Sequence, residues 1–541
     1  MAETDWNFAD VWEQVSRILP DMDVLVHGTR RQSWAETNRR ANGLAAALLE
    51  AGLGRQDKVA QYLYNCPEYL ESVFASFKAG LVPVNTNYRY GRDELVYLWT
   101  NSDTKAVVFH ASFAEMVSGL RSEVPEVRAW MWVDDGSGPC PPWAVPYEEA
   151  AGRRSDEDVR GPWGRSGDDL YLLYTGGTTG YPKGVMWRQD DLFAALNSAS
   201  LLPYPEDQGL DGIRRTLTGP TGAHLPACPL MHGTGAFTSF GALDTGASVV
   251  TLTRRSFDPV ELLDTVERER VTSIAIVGDA FAKPILRELD AHPGRWDISS
   301  VTMIISSGVM WSQATKEGLH RHNPNMVLVD AFSSSEALGM GVSVSTAGSE
   351  QATARFSLGE NARVVTEDGR DVAPGSGQVG LLAVGGRNPL GYYKDEAKTS
   401  QTFKVIGGRR YSVPGDWATV EADGSIRLLG RGSVCINTGG EKVFPEEVEE
   451  AIKANPKVAD AAAVGIPDER FGEAVCAVVQ PADGAKLDPA EVVEGVRARL
   501  AGYKAPKHVV VVDNLGRAPN GKLDYGELRR RALQALAATG S

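Results

Sequence analysis

The stretch that decides the reading is Tyr174-Thr-Gly-Gly-Thr-Thr-Gly-Tyr-Pro-Lys-Gly184, which follows the apolar run Leu170-Tyr-Leu-Leu173. A predicted strand therefore runs straight into glycines, hydroxyls and a lysine. Glycines let backbone N–H groups turn inward around phosphate oxygens, threonines add neutral donors, and Lys183 adds a mobile charge. Taken alone, the same composition also reads as a flexible loop of ordinary turn residues. It is not a Walker A loop, because Gly184 rather than Ser or Thr follows Lys183. The run Gly516-Arg-Ala-Pro-Asn-Gly-Lys522 fits the first seven Walker positions. Leu523 stands where the magnesium-holding hydroxyl belongs, so that run is rejected as a P-loop.

Outward from this loop the pattern alternates. Residues 34–53 carry apolar side chains at helical spacing and end near Gly52 and Gly54, as a helix C-terminus does. Lys58–Leu63, Ala106–Phe109, Ser248–Leu252 and Ser273–Val277 read as strands between helical stretches. Val82-Pro83-Val84 is a weaker strand, which its proline confines to an edge or a strand start. The layering is α/β, with parallel pairing expected. The composition changes near Gly430-Arg-Gly-Ser433, and the region beyond, with a predicted helix over 446–453, has the length of a small domain. The expected division is residues 1–429, a hinge over 430–434, and residues 435–541.

Composition bounds the function. A chain of 541 residues with 43% hydrophobic and 23% charged residues is neither largely disordered nor membrane-embedded. The net charge of −15 has no long block of one sign, which argues against a nucleic-acid partner. Neither an N-terminal leader nor a membrane span is legible. Five cysteines without a C-x-x-C pair suggest neither a zinc site nor a disulfide framework, and a reducing, cytoplasmic location is expected. The expected assembly includes a homodimer.

The glycine loop resembles the signature of the adenylate-forming superfamily of acyl-CoA synthetases, peptide-synthetase adenylation domains and luciferases. Further blocks follow in that family's order: Asp330-Ala-Phe-Ser-Ser-Ser-Glu336, Tyr411-Ser-Val-Pro-Gly-Asp416, Gly430-Arg431, Gly439-Gly-Glu-Lys442 and Pro519-Asn-Gly-Lys522. The resemblance implies a large multi-subdomain N-terminal adenylation domain and a small mobile α+β C-terminal domain. It also implies ATP, Mg2+ and coenzyme A as cofactor and cosubstrates, with a small-molecule carboxylic acid. Such an enzyme must bring a carboxylate in line with the α-phosphorus, offsetting the repulsion of two anions.

The resemblance assigns roles to single positions. Thr175, Gly176, Gly177, Thr178, Thr179, Gly180 and Lys183 would hold the β- and γ-phosphates. Glu336 would bind the metal, although in isolation it reads as a helix N-terminal charge. Phe332 would stack on adenine, with Asp330 and Ala331 along its polar edge; a core phenylalanine is the plain alternative. Ser335 replaces the more common threonine and keeps the hydroxyl. Asp416 would accept from the ribose hydroxyls and Arg431 would donate to ribose or phosphate. Lys522 would carry the catalytic charge to the carboxylate and α-phosphate; without that context it is a solvated lysine in a turn.

For thiol transfer the small domain would rotate about its linker, and Gly439 and Gly440 would let the pantetheine arm pass close to the backbone. Ser433 stands where the family commonly has aspartate or lysine. His232, in Pro229-Leu-Met-His-Gly-Thr-Gly235, matches a histidine near the acyl tunnel and would gate the thiol path or orient the carboxylate. Gly308–Trp311 and Gly235–Phe237 are expected to line an apolar channel for a hydrophobic acid. Asp279 keeps an amino-acid substrate open, since an ammonium group wants a buried carboxylate. Gly184-Val-Met-Trp-Arg188, Gly278-Asp-Ala280 and Gly430–Asn437 look like a bacterial acyl-CoA ligase subgroup acting on fatty or steroid side-chain acids. Two other readings stay open: an adenylating ligase loading a carrier protein in trans, and a non-catalytic nucleotide-binding interaction protein.

Overall fold

The computed structural model describes residues 5–153, 157–175, 181–309, 311–349, 355–431, 434, 436–438, 441–468, 472–518 and 521–539. Gly176–Gly180, Met310, Ser433, Gly439 and Gly440 lie outside these residues, so the expectations placed on them are not addressed by it. Packing divides the chain into two compact units, residues 1–353 with 384–412, and residues 354–383 with 413–541.

The first unit holds two large, mainly parallel sheets. In one, the strands follow the order Gly391–Tyr392, Lys183–Arg188, Leu170–Thr175, Val82–Asn85, Lys58–Tyr62, Thr104–His110, Ala129–Val133, Val145–Pro146. Pairing is parallel from Leu170–Thr175 outward to Val145–Pro146 and antiparallel on the other side. In the other sheet the strands Ser248–Thr251, Ala223–Pro226, Ser273–Ile276, Met303–Ser306 and Val327–Ser334 run parallel, and a final hairpin adds Ala337–Ser345. The predicted strands are therefore present. The helix expected over 34–53 is Trp34–Glu50, opened by the Ser33 side chain accepting from Glu36 N and stopped before Gly52, whose φ is +82°.

Val82–Asn85 is an interior strand, and its proline sits near the strand start, the second of the two expected placements. Its pairing with Leu170–Thr175 is made at Val84, beyond the proline, so the missing N–H falls ahead of that ladder.

The second unit contains an antiparallel array in which Asp416–Val420 pairs with both Ile426–Arg431 and Val379–Leu381. It also contains a five-stranded sheet centred on the long hairpin Val458–Asp468 and Gly472–Pro481. Side chains alternate along that hairpin, so each face builds its own core. Ala461, Ala463, Val475 and Ala477 pack with Val448 and Ile452 of helix Pro445–Lys453 and Val492 and Val496 of helix Pro489–Arg497. Ala462, Val464, Cys476 and Val478 face Leu528 and Ala532 of helix Tyr525–Thr539. Among the described residues no helix is long and apolar enough to cross a membrane.

Candidate functional site

The glycine loop hangs from one ladder. Thr175 ends the strand Leu170–Thr175 and stands directly opposite Lys183, the first residue of the next strand. Gly184 is required by packing there, since a Cβ would come within 2.6 Å of the Tyr174 ring. Lys183 is ion-paired with Asp395, and the ammonium group holds the Asp395 carboxyl below its usual range.

Asn85 braces the start of the loop. It accepts from Tyr174 N at 2.6 Å and donates to Tyr174 O at 2.8 Å and Met231 O at 2.7 Å. One buried amide thus links the strand before the glycine loop to the residue before His232. His232 precedes helix Gly233–Asp244 in extended backbone and is half-buried. Gly235 is there for a steric reason, as its Cβ would collide with the Pro229 carbonyl.

Glu336 is not at a helix N-terminus. Ser334 pairs with Ala337, so Ser335 and Glu336 form the two-residue turn of a β-hairpin, with Glu336 at its tip. The Tyr392 hydroxyl donates to Glu336 Oε1 at 2.7 Å, and Ser335 O accepts from Trp187 Nε1 at 3.0 Å. Ser334 Oγ is buried without a hydrogen-bond partner among the described residues, a polar atom left available beside this turn. Phe332 and Ala331 are half-buried. Asp330 is buried and paired with Lys316 at 3.2 Å; burial outweighs that partner and raises its pKa to about 6.

Asp279 is engaged elsewhere. Its Oδ1 accepts from Ser312 N at 3.1 Å and Ser312 Oγ at 3.0 Å, and Lys283 lies 3.4 Å from Oδ2. It ties two helix starts together, which removes it as a ready partner for an ammonium group. Trp311 is wholly buried and Phe237 nearly so, so both stand in apolar interior.

In the second unit the Gly-Asp and Gly-Arg blocks meet. Asp416 and Arg431 are directly opposite on adjacent antiparallel strands, with Trp417 opposite Gly430. Gly415 and Gly430 have φ of +104° and +115°, a region open to glycine and costly for other residues. Farther along, Gly521 N donates to Ala518 O at 2.8 Å and Ala518 N to Lys522 O at 2.9 Å, closing a tight turn. Arg517 clamps it, donating to Gly521 O at 2.7 Å and to both oxygens of Asp460 at 2.5 and 2.9 Å. Leu523 is buried and Lys522 exposed. Helix Tyr525–Thr539 begins only after Asp524, so the rejected Walker-like run is this turn.

The same unit carries a groove of about 710 Å³ lined by Thr438, Arg497, Tyr503, Lys507 and His508. Arg497 and Lys507 are ion-paired with Glu494 and Asp468, and the Tyr503 ring is exposed. Sequence reasoning missed Asn85, Tyr392, Asp395 and Arg517. Arg517 alone had a visible signal, an arginine inside the lysine-bearing turn.

Among the described residues no three His, Cys, Asp or Glu side chains gather as a metal cage. A single carboxylate at Glu336 fits an ion such as Mg2+, which keeps waters and takes further ligands from phosphate.

The chain matches the AMP-binding enzyme family over residues 12–393 and the AMP-binding enzyme C-terminal domain over residues 447–522. It is 40% identical over 529 residues to a medium/long-chain-fatty-acid–CoA/3-oxocholest-4-en-26-oate–CoA ligase of Mycolicibacterium smegmatis, covering 96% of this chain and 95% of that protein. It is 38% identical over 528 residues to the 3-oxocholest-4-en-26-oate–CoA ligase of Rhodococcus rhodochrous, covering 96% and 94%. Its fold matches the crystal structure of the anthranilate–CoA ligase AuaEII in complex with anthranoyl-AMP, with a TM-score of 0.85 over 99% of each chain at 19% identity.

Proposed function

The chain belongs to the AMP-binding enzyme family and is an AMP-forming acyl-CoA synthetase, and on that premise we propose a hydrophobic acid and a role for each site residue. The acid is a medium- or long-chain fatty acid or a steroid side-chain acid. Two curated relatives similar over nearly the whole chain are named for such acids, and Asp279, the candidate partner for an amino-acid ammonium group, is held by Ser312.

The observation that carries the reading is the convergence of Lys183 and Glu336, distant in sequence, on the one segment Tyr392–Asp395. Thr175, the glycines 176, 177 and 180, Thr178, Thr179 and Lys183 offset the β- and γ-phosphates. Glu336 holds magnesium, which when bound neutralises phosphate charge. Phe332 stacks on adenine beside Asp330 and Ala331, and the Ser335 hydroxyl reaches phosphate or metal. Asp416 accepts from the ribose diol, and Arg431, on the neighbouring strand, donates to ribose or phosphate. Lys522 brings its charge to the acid carboxylate and α-phosphate as the bond between them forms and pyrophosphate leaves. His232 orients the carboxylate or gates the thiol path.

The division at Gly430, with a hinge over 430–434, and the passage of pantetheine along Gly439 and Gly440 complete the proposal. The nucleotide end of coenzyme A meets Arg497, Tyr503 and Lys507 of the groove; its lining residue Thr438 directly precedes the glycine pair. A cytoplasmic location is part of this reading, in keeping with the free thiols of Cys66, Cys140, Cys228 and Cys476. So is a homodimer, which light scattering of the purified protein distinguishes from a monomer.

A panel of acids tests the reading. Acid-dependent pyrophosphate release with MgATP, and acyl-CoA formation when coenzyme A is added, are expected for medium and long fatty acids or sterol acids. Absence of both across the panel refutes it, and transfer only to a carrier protein favours the carrier-loading alternative.

A further inference from the structure

The segment Tyr392-Tyr-Lys-Asp395 lies between the phosphate-loop strand and helix Glu396–Thr402, and every one of its side chains is tied down. Its backbone is docked on the strand after the glycine loop: Tyr392 pairs with Val185, and Tyr393 N donates to Gly184 O at 2.7 Å. Tyr393 Oη and Lys394 Nζ both reach Asp103, each at 2.8 Å. Lys394 is a non-glycine residue with φ of +56°, a conformation kept only where its surroundings over-determine it. The outer two residues hold the two charges already discussed. The Tyr392 ring is buried near Phe403, and its hydroxyl donates to Glu336 Oε1. Asp395 pairs through Oδ2 with Lys183, while Oδ1 accepts from Lys398 N at 2.9 Å and so caps the following helix.

We propose that this strap is a positioning device: Tyr392 orients Glu336 for the metal, and Asp395 holds Lys183 as a resting counter-ion that the triphosphate must displace. The inference rests on the reading of Lys183 and Glu336 as the phosphate lysine and the metal carboxylate. A carboxylate with one oxygen fixed by a buried hydroxyl presents the other without paying rotamer entropy when the ion arrives. A lysine kept extended by a carboxylate is likewise preorganised, but its attraction for phosphate is reduced by the charge it already faces. The two tethers therefore act in opposite directions on nucleotide affinity, which a purely structural strap would not do. Tyr392 and Asp395 are thus positioning residues, acting through Glu336 and Lys183.

Isothermal titration of the full chain with ATP, with and without excess magnesium chloride, tests this. Tyr392→Phe keeps the buried ring and is expected to weaken binding roughly five- to tenfold with magnesium while leaving metal-free binding unchanged. Asp395→Asn keeps an oxygen for the helix cap and is expected to tighten binding about three- to tenfold in both conditions, with Asp395→Glu returning toward the parent value. Equal weakening by Tyr392→Phe with and without metal, or unchanged or weaker binding in Asp395→Asn, overturns the proposal, including when a lowered Tm accompanies it. If the parent chain itself binds no ATP, the functional reading fails with it; if the parent binds and the variants do not separate as stated, the strap proposal alone fails.

Discussion

Lys183 and Lys522 are both predicted to meet phosphate, yet the protein presents them in different settings. Lys183 sits at the end of an antiparallel ladder, about one-third exposed, with its charge already met by Asp395. Lys522 is exposed at the end of a tight turn whose backbone is braced through Gly521 O on Arg517 and the pair of hydrogen bonds to Ala518. The first arrangement pairs a side-chain charge; the second braces the backbone that carries an exposed lysine. The difference suits a lysine that steadies a bound triphosphate and one that brings charge to a bond as it forms.

Five substitutions press on that comparison. Lys522→Ala is expected to lower acid-dependent pyrophosphate release about a hundred- to thousandfold while leaving thioester formation from preformed acyl-adenylate largely intact. Equal loss of both halves in a folded variant would mean that Lys522 is not the adenylation lysine. Arg517→Ala breaks the clamp beneath Lys522 and strands Asp460, costing about 3 kcal/mol of stability for a pair only about one-fifth exposed. Urea unfolding reads this, and a parallel loss of adenylation would show that the platform matters.

Lys183→Ala removes a charge already shared with Asp395, so ATP binding should weaken only about tenfold, with little change in stability. A loss as large as that at Lys522 would erase the distinction between the two lysines. Among the effects on stability, smaller ones than at Arg517 are expected at the glycines before Asp416 and Arg431. Gly430→Ala meets both a positive φ and the Glu446 carboxylate, and should cost about 2 kcal/mol, whereas Gly415→Ala meets the φ alone, with open space around its Cβ, and should cost about 1 kcal/mol. Thermal midpoints in the reverse order would show that contacts to Glu446 relax freely.

Local pattern carried far but unevenly. The helix at 34–50 was legible because its apolar spacing and terminal glycine agree. The strand at 82–85 was left between an edge and a strand start because proline marks a missing donor without saying on which side of the strand it falls. Glu336 was legible as a site residue only by its place in an ordered block. Its surroundings on the chain, three serines before and apolar residues after, suit a helix start as well as the hairpin turn it occupies.

The amino-acid sequence by itself determined the mixed α/β class, the ordered blocks and therefore the family and its chemistry, because these are written in contiguous residues. Only the tertiary structure decided that Asp416 and Arg431 are paired on adjacent strands, that Asn85 braces the glycine-loop strand beside His232, that Asp279 is consumed between two helices, and that Tyr392 and Asp395 grip Glu336 and Lys183. Each of these is a pairing between distant segments. It depends on strand register and on which face a side chain takes, and a one-residue slip would undo it while leaving every local pattern in place.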